Sequence, residues 1–121
     1  IYDGSPLNGP DVMDMPNRTR PGSPAPDAPW DGSWLLDSLG GKFHILAINM
    51  SAPADLAVGG IKIETLQTVN VTPELRDRYL GRKQQAVYLV RPDQHIAARW
   101  EIFDADAVRK AVLKATGRAE A

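Results

Sequence analysis

The stretch Ala86-Val87-Tyr88-Leu89-Val90-Arg91-Pro92-Asp93-Gln94-His95-Ile96-Ala97-Ala98-Arg99-Trp100 decides the fold. Two runs rich in β-branched and aromatic residues flank Arg-Pro-Asp-Gln. Proline presets a turn dihedral and aspartate hydrogen-bonds its own backbone, so the pattern predicts an antiparallel hairpin. Downstream, Asp104 is a helix cap, with Val108, Ala111, Val112 and Ala115 on one face. Arg109, Lys110 and Lys114 sit toward the negative end, and Gly117 supplies the stop. Upstream, Thr72-Pro73-Glu74 is a helix start: a hydroxyl cap, a proline at the first position, and an acid by the positive dipole end. Leu75 and Tyr79 share that helix's face, and Gly81 ends it.

Further outward, Ile61-Lys62-Ile63-Glu64-Thr65 alternates as a half-exposed strand does, running on toward Val69. Phe43 to Asn49 is nearly unbroken apolar sequence, the mark of a strand buried on both faces. Between them, Pro53 is expected to open a short helix over Ala54 to Ala57, closed by Gly59-Gly60. Ser33 is expected to cap another over Trp34, Leu35, Leu36 and Leu39, ended by Gly40-Gly41. The order strand, short helix, strand, helix, hairpin, helix predicts an α/β sandwich with a mixed central sheet.

Seven of the ten prolines fall in residues 1–30, which rules out a long helix there. The expected organisation is an extended Pro-rich arm over 1–30 and a compact domain over 31–121. Tyr2, Leu7, Met13, Met15 and Trp30 are costly to leave in water, so the arm must pack on something. Tyr2, Met13, Met15 and Trp30 are therefore the candidate interface residues, with Trp30 foremost for an inter-domain or dimer contact.

At 121 residues the chain is long enough for one domain with a core and too short for two. A net charge of −1, with no run of Lys or Arg, argues against nucleic acid or an anionic membrane as partner. The absence of cysteine excludes disulfides, thiolate catalysis and dithiol redox chemistry. It also favours a reducing, cytoplasmic setting. No apolar run reaches the ~18 residues of a membrane span. The glycosylation-like tripeptides at Asn17, Asn49 and Asn70 read as chance matches. Opening on Ile1 rather than Met reads as a fragment or processed product.

The element order resembles the thioredoxin fold. Pro21-Gly22-Ser23-Pro24-Ala25-Pro26-Asp27-Ala28-Pro29, followed by Asp31-Gly32-Ser33-Trp34-Leu35-Leu36-Asp37, resembles the lead into the C-terminal domain of flavoprotein aromatic hydroxylases. That class includes phenol hydroxylases and hydroxyphenylpropionate hydroxylases. The hairpin Val87 to Trp100 is similar to a recognisable stretch of the same domain, and Tyr2-Asp3-Gly4-Ser5-Pro6-Leu7 to the tail of the preceding flavin/substrate region. The resemblance reaches from near residue 1 to Trp100, and none of its motifs is catalytic. It implies a parent enzyme that binds FAD, takes hydride from NAD(P)H and hydroxylates an aromatic substrate. Its chemistry would lie upstream of Ile1, and its partners would be the upstream FAD and substrate domains and a second copy in a homodimer.

The chain itself offers no complete site, so no catalytic, cofactor-binding or metal residue is assigned within it. It has no Gly-x-Gly-x-x-Gly turn, so FAD is not expected to bind here. Asn49-Met50-Ser51-Ala52-Pro53 stands where a thioredoxin carries Cys-x-x-Cys, and a serine hydroxyl cannot replace a thiol. No nucleophile elbow surrounds Ser51, and neither His44 nor His95 has an orienting acid evident in the sequence. Two histidines without cysteines or an acid cluster fall short of a metal-ligand set. Asp104 and Asp106 are explained by capping and dipole, and Trp34 and Trp100 by core or edge packing. The expected role is a non-catalytic structural or dimerisation domain. The alternatives are a free-standing, redox-inactive thioredoxin-like binding protein and a small enzyme with an unrecognised site.

Overall fold

The computed structural model describes residues 10–12 and 14–117. Its centre is a five-stranded mixed sheet of β3 (Phe43–Ile48), β4 (Asp55–Val58), β5 (Ile61–Thr68), β6 (Ala86–Val90) and β7 (Ile96–Trp100), ordered β4-β5-β3-β6-β7. β3 and β5 are parallel; the other neighbours are antiparallel. A two-stranded hairpin, β1 (Pro29–Trp30) with β2 (Ser33–Trp34), precedes the sheet. Helix α1 (Pro73–Leu75) continues into a π turn over Arg76–Leu80, and α2 (Ala105–Ala115) follows β7. The protein is thus α/β, with helices on both faces of one sheet.

All six residues of β3 and all five of β6 are buried, as their unbroken apolar runs require. Side chains alternate between faces. Phe43, Ile45, Val87 and Leu89 point to the face covered by Val108, Ala111 and Val112 of α2. Leu46, Ile48, Tyr88 and Val90 point to the other, where Leu75, Tyr79 and Leu80 meet Met15, Ala25, Ala28 and Trp30. Asp104 caps α2, accepting from the amides of Asp106 at 2.9 Å and Ala107 at 3.2 Å. Thr72 caps α1 through Leu75 N at 3.1 Å, with Pro73 in the first turn. Gly81 closes the π turn in a left-handed conformation, its amide donating to Arg76 O at 2.7 Å.

The described part of the Pro-rich arm packs on the chain's own sheet. Its backbone lies along β7: Gly22 N donates to Ile96 O at 2.7 Å, Ile96 N to Ser23 O at 2.8 Å, and Ala25 N to Gln94 O at 2.8 Å. Buried polar groups fasten it. Thr19 Oγ1 and Tyr88 OH lie 2.8 Å apart, Tyr88 OH donates to Tyr79 O at 2.6 Å, and Tyr79 OH donates to Pro26 O at 2.6 Å. Arg99, almost wholly buried, donates to Pro16 O at 2.5 Å and Thr19 Oγ1 at 3.1 Å and pairs with Asp11.

Two expected helices are not formed. Residues 54–57 contribute to β4, which pairs antiparallel with β5 through a turn in which Gly59 and Gly60 both have positive φ. That turn suits a two-residue hairpin, and four residues are too few for a helix to hold itself. Ser33 and Trp34 form β2 after a turn of Asp31 (φ 49°) and Gly32 (φ 84°), and only Leu35–Ser38 coil, as a single 3-10 turn. Ser33 does not cap it; the Asp27 carboxylate does, accepting from Leu36 N at 3.0 Å.

Candidate functional site

In a sheet with parallel strands, the crevice beyond their carboxyl ends is the first place to look for a site. Here it is a cleft of about 610 Å³. Asn49, Met50 and Ser51 leave β3 on one side; Gln67 to Asn70 end β5 on the other; Asp31 stands at the tip of the β1–β2 hairpin. Asn49 adopts a positive φ of 60°, which bends the chain out of β3, and its amide still donates to Thr68 O at 2.8 Å. Its side-chain amide is tied to Gln84 O at 3.0 Å.

Asp31 Oδ1 accepts from Thr68 Oγ1 at 2.6 Å and from Asn70 Nδ2 at 2.7 Å. Two donors on one oxygen orient the carboxylate. Gln67 Oε1 accepts from Ala52 N at 3.2 Å, steadying the loop beyond Ser51. Among the described residues no histidine, lysine or arginine lines the cleft, so none of them stands beside Ser51 as a base.

Each histidine does have an acid, contrary to the expectation from sequence. His44 Nε2 lies 2.7 Å from Glu64 Oε1, its register partner on the parallel strand, and His95 Nδ1 lies 3.5 Å from Asp93 Oδ1. The Asp93 signal was only two residues away in sequence; the Glu64 partnership needed the strand register. Neither pair adjoins Ser51 in the cleft. At α2, hydrogen bonds from Arg109 and Lys110 hold the Asp106 carboxyl below its usual range, which suits a charged surface partner. Asp104 is engaged as the cap, so these two acids form no acid–base pair.

Of the candidate interface residues, Trp30 and Met15 are buried in the core at 8% and 9% exposure, while Tyr2 and Met13 lie outside the described residues. Trp100 is half-buried against the α2-side core, whereas Trp34 is 54% exposed. Core packing, expected for both, holds for Trp100; Trp34 lies on the short edge strand β2. Among the described residues no helix is long and apolar enough to cross a membrane, and no group of three His, Asp or Glu stands together as metal ligands.

The residues present do not fit FAD. A dinucleotide cradle needs a glycine turn opening a helix whose amides meet the pyrophosphate. Here β3 runs by way of Asn49-Met50-Ser51-Ala52-Pro53 into a strand, Gly59-Gly60 makes a hairpin, and Gly40-Gly41 precedes β3.

Fold and cleft together define a small α/β domain with a mixed sheet and a polar crevice at its parallel strand ends. No protein-family model and no curated protein sequence matches the chain. Solved structures do. RebC-10x, in its native and K252c-bound form, is 27% identical with a TM-score of 0.60, covering 84% of this chain and 20% of that one. The substrate-free form of the rebeccamycin biosynthetic enzyme RebC is 25% identical at a TM-score of 0.60, over 95% of this chain and 22% of the other. Aklavinone-11 hydroxylase, in a ternary complex with FAD and aklavinone, shares the fold at a TM-score of 0.64 and 24% identity, over 83% and 22%. RebC has also been solved with reduced flavin. This chain therefore spans about a fifth of the length of the flavin-carrying enzymes it is similar to.

Proposed function

We propose that this chain is the thioredoxin-like, non-catalytic C-terminal domain of an FAD- and NAD(P)H-dependent aromatic monooxygenase. It gives the flavin and substrate regions of the same chain, and a second copy in a cytoplasmic homodimer, a surface to pack on. The observation that carries this reading is the RebC match: 84–95% of this chain aligns with 20–22% of that enzyme at 25–27% identity. The parallel β3–β5 pair, the intervening α1, the β6–β7 hairpin and α2 support the thioredoxin-like reading. The order departs from it at β4, a strand where a helix was expected. The poor fit of the cleft to FAD supports a non-catalytic role.

The test is to sequence the reading frame ahead of Ile1 and express both lengths. The expected outcome is a long upstream region with a dinucleotide fingerprint, a yellow full-length protein, and a colourless 121-residue chain that does not oxidise NAD(P)H. Stoichiometric flavin on the short chain, or NAD(P)H oxidation with a phenol, would overturn the reading. A start codon directly before Ile1 would favour the free-standing binding protein.

A further inference from the structure

We infer that β4 is the seat of a two-fold pairing between two copies of this chain, edge to edge and antiparallel about Leu56. Of the sheet's two rims, the one at β7 is already lined by the backbone of residues 22–25, hydrogen-bonded to Gln94 and Ile96. Beyond β4, no strand lies among the described residues. The register tells which backbone groups of β4 face out. Thr68 O points to β3, since it accepts from Asn49 N at 2.8 Å, so the alternating groups of Lys62 and Glu64 point there too. Those of Ile61 and Ile63 then meet Val58 and Leu56, which leaves the N–H and C=O of Asp55 and Ala57 directed outward. The two-residue turn at Gly59-Gly60 gives the same result, because it closes on a hydrogen-bonded Val58–Ile61 pair.

The second copy follows from the symmetry of these groups and from charge. Asp55 and Ala57 stand either side of Leu56, so setting Leu56 opposite its own copy brings Asp55 opposite Ala57 of the second chain. All the outward amides and carbonyls of both strands are then paired. On one face Leu56 meets Leu56 of the second copy at the close spacing of a non-hydrogen-bonded pair, prolonging the apolar row it forms with Ile63. On the other face Asp55 has a like charge, Glu64, as its register partner, and Lys62 stands beside Ala57. Neither Asp55 nor Lys62 has an ion-pair partner among the described residues. Across the two-fold the row reads Glu64, Asp55, then Ala57 and Lys62 of the second copy. Asp55 and that lysine are two strand spacings apart, about 10 Å, and the small alanine between them lets the lysine reach over. A hollow of about 220 Å³ bordered by Asp55, Ala57 and Lys62 gives it room. Centring the pair on Asp55 would instead set like charges face to face. Each copy uses its open rim, so the assembly closes at two. This inference rests on the second-copy part of the proposed function and gives it a location.

The experiment is dilution of the 121-residue chain from about 1 mM to about 20 μM, followed by sedimentation and 1H–15N spectra. So short a strand pair buries less than the ~1,200 Å² of a stable interface, so a dimer dissociating between ~0.1 and ~1 mM is expected. Concentration-dependent shifts should be confined to residues 54–58 and 61–64. The amides of Asp55 and Ala57 should exchange about twofold more slowly at the upper concentration, while those of Leu56 and Val58, already bonded to β5, should not change. Asp55→Lys relieves the contact with Glu64 and should fold at least as well, yet it faces Lys62 of the second copy and should weaken the dimer about tenfold. Adding Lys62→Glu restores the opposite charges and should recover it. Ala57→Pro removes only an outward N–H and should abolish association. A chain monomeric at about 1 mM, dimer shifts lying elsewhere, or an Asp55→Lys chain that associates as tightly as the unaltered one would overturn the inference. Shifts elsewhere would leave a homodimer standing without β4, and the reading frame ahead of Ile1 decides the parent enzyme separately. The dilution series uses the unaltered chain, so it decides the matter even if a variant does not fold.

Discussion

The two faces of this sheet are sealed in different ways. One is closed by α2, a regular amphipathic helix that sets Val108, Ala111 and Val112 on Ile45, Val87 and Leu89. The other is closed by a three-residue helix, a π turn and a proline-rich arm, none of which covers it alone. On the first face apolar burial suffices. On the second, Tyr79, Tyr88, Thr19 and Arg99 carry hydrogen bonds from the sheet and π turn to the arm's carbonyls and hydroxyl. An irregular segment exposes more backbone polar groups than a helix does, and when buried they must find partners. Tyr79 and Tyr88 also meet edge to face, with ring centroids 5.0 Å apart.

The contrast can be broken from either side. Ile45→Ala should cost about 3 kcal/mol through the cavity it leaves under α2. Native-state hydrogen exchange should then show the α2 amides losing more protection than those of Gly22–Ala25. Alkali should attack the other face. Burial pushes the Tyr88 hydroxyl up to about 12, against the lowering effects of Thr19 and Arg99, and Tyr79 is raised well above its ordinary value for the same leading reason. The unfolded chain therefore ionises first. Stability should hold below pH 10 and fall by roughly 2–3 kcal/mol between pH 10 and 12 on account of Tyr88. Chemical denaturation across that range checks it, and Tyr88→Phe should flatten the slope.

Arg99→Met should cost about 2 kcal/mol, because Pro16 O and Thr19 lose a buried donor while the half-exposed Asp11 is rehydrated. Its loss of exchange protection should fall on the arm; equal loss over α2 would show the two faces to be one cooperative unit. The smallest effect is expected from Asp104→Ala. Removing the cap of α2 should cost about 1 kcal/mol, read as a small drop in the denaturation midpoint.

The α2 face was largely legible in the sequence. The cap at Asp104, the spacing of Val108, Ala111 and Val112, the hairpin around Pro92-Asp93 and the buried run of β3 all follow from local chemistry. The arm face was not. Prolines announce extended backbone but not the surface it will lie on, and the bonds from Tyr79 to Pro26 and from Arg99 to Pro16 join residues 53 and 83 positions apart. Two turns were misread for a more local reason. Asp31-Gly32 and Gly59-Gly60 are hairpin signals, but Ala54–Ala57 and Leu35–Leu39 have helical composition; the ladder took residues 55–58 and, at the other turn, Ser33–Trp34, which left Leu35–Ser38 a single 3-10 turn. Of the cleft, the sequence marked Asn49 to Pro53 as the loop after the first core strand. It gave no sign of Asp31, which reaches Thr68 and Asn70 from 37 and 39 residues away.

The course of Gly22–Ala25 along β7 has a consequence for how copies of this molecule behave toward each other. An open rim on a sheet invites further strands, and repeated addition grows fibres. Among the described residues the outermost layer on that side includes Pro21, Pro24 and Pro26, residues with no N–H to offer a newcomer. The sheet ends on that side in a layer that has been joined but is poorly equipped to recruit the next, a chemical full stop against polymerisation.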